Sequence, residues 1–64
     1  MGKFSNKEKA EAATREAGYR ERVYARRVAE GKMRQEFATR QIQLMHEIAA
    51  DYERLADEDQ PRLL

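Results

Sequence analysis

Between Arg34 and Asp57 the apolar residues recur with the period of an α-helix. Phe37, Ala38, Ile42, Leu44, Met45, Ile48, Ala49, Tyr52, Leu55 and Ala56 share one side of the wheel, a stripe about 160° wide. Thr39, Arg40, Gln43, His46, Glu47, Ala50 and Arg54 occupy the other side, where Ala50 is the one apolar residue. A heptad reading also fits, with Ala38, Met45 and Tyr52 at one seam position and Ile48 and Leu55 at the other. A helix is therefore expected over about 34–57, and its stripe must be covered by something.

Upstream, Ser5-Asn6-Lys7-Glu8 reads as a capping box: the Ser5 hydroxyl accepts from the Glu8 amide while the Glu8 carboxylate reaches back to the Ser5 amide. A first helix is predicted from there to about Glu30. Its apolar side is thinner. Ala10, Ala13, Ala17, Tyr24 and Val28 line one stripe, and Ala12, Tyr19 and Val23 a second. Gly18 sits inside this helix at a cost of about 1 kcal/mol relative to alanine; it marks either a close crossing of the two helices, the favoured reading, or a tolerated defect. Gly31 can take the left-handed conformation that ends helices. The short connection through Lys32 and Met33 then forces two antiparallel neighbours, with Met33 placed to pack back on Phe37 or Ala38. Arg34 supplies no conventional cap to the second helix. At its far end Asp57, Glu58 and Asp59 oppose the helix dipole and Pro61 cannot continue it. The whole chain, 1–64, is read as one helical hairpin domain (about 5–30 and 34–57) with frayed tails at 1–4 and 58–64.

Composition changes this picture in one respect. A chain of 64 residues buries too little to be comfortable alone, and with no cysteine and a single histidine it has no disulfide or thiolate metal site to help. Oligomerisation, or docking on another protein, remains, and a homodimer forming a four-helix bundle is the favoured assembly. Phe37, Ile42, Met45, Ile48, Tyr52 and Leu55, with Tyr19 and Val23 from the first helix, are the candidate interface. No run approaches the ~20 apolar residues of a membrane span and no signal peptide is legible, so a cytoplasmic protein without a membrane role is expected.

Charge is segregated along the chain. Residues 1–40 hold eleven Lys and Arg against six Glu, and residues 41–64 two Arg against six Asp and Glu. Folding at Gly31 brings the acidic end beside Lys3, Lys7 and Lys9, where ion pairs are expected, and leaves a basic turn. The plainer reading is intramolecular complementarity plus a solvated face; on the sharper one Arg20, Arg22, Arg26, Arg27, Lys32 and Arg34, together with Arg15, are the candidate contacts for an acidic protein or a nucleic acid. Interleaved glutamates and a net charge of only +1 make nucleic acid the weaker of the two.

Candidate chemistry is sparse. His46 has no second ligand at helical spacing and reads as a surface histidine. Glu47 and Asp51 lie one turn apart, but a hairpin offers no concave pocket in which a carboxylate pair could work. Tyr24 and Tyr52 fall on packing stripes, and Tyr19 is the aromatic left for a partner. No phosphate loop or nucleophile constellation is present. Neither an enzyme nor a cofactor is expected.

The run Arg15-Glu16, Tyr19 through Met33, then Ala38, Arg40, Ile42, Met45 and Ile48 to Tyr52 resembles a group of short uncharacterised proteins of bacteriophages and prophages. Its densest part is Arg22-Val23-Tyr24 followed by Gly31-Lys32-Met33. Members often carry proline after the tyrosine and threonine after the methionine, where this chain has Ala25 and Arg34. The resemblance implies a phage accessory protein in a bacterial cytoplasm and lends no catalytic residue. Together these readings point to a small interaction module that binds or inhibits a host protein complex, with a dimeric nucleic-acid-binding bundle as the alternative.

Overall fold

The computed structural model describes residues 2–60. They form an all-α hairpin of two packed helices, α1 (Asn6–Ala29) and α2 (Gln35–Asp59). Cross-helix pairs 6 with 59, 14 with 53 and 21 with 46 make the arrangement antiparallel.

Local chemistry sets three of the four helix ends as expected. Ser5 is the N-cap of α1, its hydroxyl accepting from the Glu8 amide at 3.1 Å while the Ser5 amide donates to the Glu8 carboxylate at 3.5 Å. At the other end Gly31 takes φ 74°. The Lys32 amide donates to the Arg27 carbonyl at 2.8 Å and the Gly31 amide to the Val28 carbonyl at 3.0 Å. Those two bonds close the Schellman motif that satisfies carbonyls left over at a helix end. Arg34 caps α2 in extended conformation with no side-chain hydrogen bond, as its side chain dictates.

The fourth end differs from expectation. α2 continues two residues past Asp57 to Asp59, although its last turn holds no base to complement the dipole. Asn6 Nδ2 donates to Asp59 Oδ2 at 2.9 Å, so the first turn of α1 holds the last turn of α2 in place. The helix boundary thus falls two residues beyond the one expected. Residues 1 and 61–64, where the outer tails were placed, lie outside the described residues.

The helices meet through alanine. Ala10, Ala13 and Ala17 of α1 and Ala38 and Ala49 of α2 are the buried core, and Ala17 is fully enclosed at 0% exposure. Small side chains let the axes approach closely, but each one removes little apolar area from water. No large side chain is fully buried among the described residues.

Gly18 does not mark that approach. A Cβ there would meet only Arg22 Nη1, at 3.9 Å, so the glycine faces away from α2 and Ala17 beside it is the crossing residue.

Polar ties flank the alanine seam. Thr14 Oγ1 donates to Glu53 Oε1 at 3.4 Å, and His46 Nε2 lies 2.6 Å from Glu21 Oε1. Arg20 is held by Glu16 Oε2 at 2.9 Å and donates through Nη1 to the Gln41 carbonyl at 3.0 Å. The ion pairs expected between Lys3, Lys7 or Lys9 and the acidic end of α2 are absent among the described residues. Lys9 instead sits over the Tyr52 ring, 5.5 Å from its centroid, and Lys3 over Phe4 at 5.9 Å. Lysine heads lose less water over a ring face than in a contact pair, and exposed pairs contribute only 0 to ~1 kcal/mol. No helix among the described residues is long and apolar enough to cross a membrane.

Candidate interaction surfaces

α2 carries more apolar surface than α1 can cover. Ala38 and Ala49 define the line that faces α1. Phe37, Leu44, Ile48 and Leu55 lie about 110° round the helix from that line, outside the reach of a single neighbouring rod. Phe37 is 52% exposed and Leu44 46%, while Ile48 and Leu55 are half-buried. Ile42, Met45 and Tyr52 lie between the seam and the flanks and are half-buried too. Ile48, Tyr52 and Leu55 line a shallow open groove together with Asp51 and Arg54.

The molecule's surface carries the same message. The chain exposes 5543 Å², whereas a compact monomer of its mass would expose about 4,250 Å². Its Cα radius of gyration is 14.9 Å, against about 11 Å for a compact chain of this length. Both figures reflect an elongated shape, 51 × 24 × 16 Å, with more surface per residue than a compact domain of this length.

α1 divides its candidate residues differently. Val23 is half-buried, but Tyr19 is 48% exposed on the outer side of α1, remote from the α2 flank. Arg20 and Arg27 flank the half-buried Tyr24 ring at 5.9 and 5.8 Å, so both are committed within the hairpin. Lys32 reaches Glu30 at 3.8 Å, while Arg34 caps α2 with its backbone alone and its exposed side chain forms no ion pair with a described residue. Arg15, Arg22 and Arg26 are exposed on the same outer face as Tyr19 and form no ion pair with any described residue. The basic residues thus divide: Arg20 and Arg27 lie against Tyr24, Lys32 and Arg34 remain exposed at the turn, and Arg15, Arg22 and Arg26 form an outer stripe on α1.

His46 is exposed as expected, yet it is also a tie to Glu21, which its neighbours in sequence could not reveal. Two other residues escape a reading by hydrophobicity. Leu44 is legible in the stripe, but a wheel alone does not distinguish its exposed position from the seam. Gln41, polar in type, is half-buried because its carbonyl accepts from Arg20. No three His, Asp or Glu side chains come together as a metal ion would need, among the described residues. No family model matches this chain, and neither a curated protein nor a solved structure matches it to a significant degree.

Proposed function

We propose that the chain is a non-enzymatic interaction module that works as an assembly, two hairpins forming a four-helix bundle whose outer surface engages another protein. The observation that carries this reading is the content of the core: five alanines and no fully buried large side chain, beside a flank with Phe37 and Leu44 half in water. Stability in a helical hairpin comes from packing an apolar face, and here that face is left largely to a neighbour. The resemblance to short phage proteins adds the setting: a phage accessory protein acting in the bacterial cytoplasm on a host protein complex. Light scattering from sub-micromolar to about 100 µM tests the assembly. A mass rising to twice that of the chain is expected, and a folded monomer throughout would overturn it.

A second reading has one observation in its favour. Arg15, Arg22 and Arg26 form an exposed stripe with Tyr19 on the outer face of α1, and phosphates with an occasional stacked base suit that combination. Mobility shifts of RNA or DNA at low salt, lost on Arg22→Ala with Arg26→Ala, would favour it. No shift at low salt removes it.

A further inference from the structure

We propose that α2 pairs with α2 of a second copy of this chain, antiparallel, about a two-fold axis at the level of residue 46. The inference rests on the self-association reading and adds orientation and register to it. The exposed flank follows a strict heptad line, Phe37, Gln41, Leu44, Ile48, Asp51 and Leu55, with alternating separations of four and three. Four of these six are the apolar residues that α1 leaves uncovered or half-covered. Gln41 and Asp51 are the two polar interruptions.

The line is symmetric about residue 46. In an antiparallel pair centred there, Phe37 faces Leu55 of the partner subunit and Leu44 faces Ile48 of the partner subunit. Gln41 then faces Asp51 of the partner subunit, so each polar interruption meets the other, and a side-chain amide can donate to a carboxylate. Arg40, exposed at the edge of the line, is carried beside the same carboxylate. Every contact occurs twice, as an isologous interface requires.

Other pairings lose this match. A parallel pair in register sets Asp51 against Asp51 of the partner subunit, two like charges in one layer. Sliding an antiparallel pair by one heptad sets Asp51 against Ile48 of the partner subunit, or Gln41 against Leu44 of the partner subunit. Either slide also strands Phe37 or Leu55. Polar residues at seam positions select orientation and register in this way, because a mismatched layer leaves a polar group without a partner.

Cysteine cross-linking tests the geometry cleanly in a chain with no cysteine of its own. Gln41→Cys and Asp51→Cys replace only the polar layer residues, and circular dichroism checks that both variants stay helical. In the proposed pair two residues at position 41 lie about 15 Å apart along the axis, as do two at position 51. That is too far for a disulfide. An equal mixture should therefore oxidise to the mixed dimer in at least about ten-fold excess over either symmetric dimer. Symmetric disulfides matching or exceeding the mixed one would overturn the proposal.

Light scattering on the unmodified chain in the same buffer separates the two levels of the argument. A monomer overturns both the self-association reading and this pairing. A dimer without the mixed disulfide overturns only the pairing. Charge reversal gives an independent readout: Arg40→Glu should weaken association roughly ten-fold, acting at two symmetric sites. Arg40→Glu with Asp51→Lys should restore it. A double variant no tighter than Arg40→Glu alone would contradict the proposed neighbours.

Discussion

Ala17 and Gly18 are adjacent in the chain and opposite in role. Ala17 sits at the tightest point between the helices with no surface exposed, so Ala17→Leu must push the axes apart or force a strained rotamer. A loss of about 1–3 kcal/mol is expected, read as a lowered thermal midpoint by circular dichroism. Gly18→Ala meets only the far end of Arg22 and removes backbone freedom from a helix interior. A gain of about 1 kcal/mol is expected in the same melt. Destabilisation by Gly18→Ala would restore the close-crossing role that the sequence suggested for the glycine. That role was a fair inference, since small residues accompany close approach, but a glycine in isolation does not say which side of its helix is crowded. The alanines at 10, 13 and 17 did say so, because they repeat on one face.

At the scale of the helix, ends written in local chemistry were legible and ends held by distant partners were not. The Ser5 capping box and the Gly31 turn each involve residues within five positions of one another, and both form as their sequences dictate. The end of α2 depends on Asn6, more than fifty residues away, and no local rule carries that information. The same holds for the Glu21–His46 tie and for Arg20 on the Gln41 carbonyl. The start of α2 is the weakest of the four ends. Arg34 already has the extended backbone of a cap, at φ −75° and ψ 140°, but no acceptor oxygen on its side chain. Arg34→Ser is expected to stabilise the fold by about 1 kcal/mol, measured by urea unfolding; no change would mean that solvent already satisfies the first turn of α2.

The molecule as a whole is a pair of rods joined by a seam of small residues, with polar ties along its margins and an apolar flank on one of the rods. The amphipathic width of α2 was visible in the sequence, and so was the poverty of α1. What the pattern could not provide was the division of the stripe into a covered seam and an open flank, which follows from the angle at which α1 lies. Leu44 lies on that flank at the middle of α2. Leu44→Asp is expected to abolish association and most of the helicity with it, read as a fall in mass by light scattering and a loss of ellipticity by circular dichroism; an unchanged mass would move the interface elsewhere. The function we propose, recognition through assembled helical surface, would keep the outer stripe of Arg15, Arg22 and Arg26 at a distance from the interface.

The central claim is that folding and association are one process. Thermal unfolding followed by circular dichroism over a hundred-fold range of chain concentration tests it most directly. For a dimer that unfolds to separate chains, the midpoint climbs steadily with concentration. A midpoint that stays fixed across the range, with full helicity at the lowest concentration, would contradict the claim.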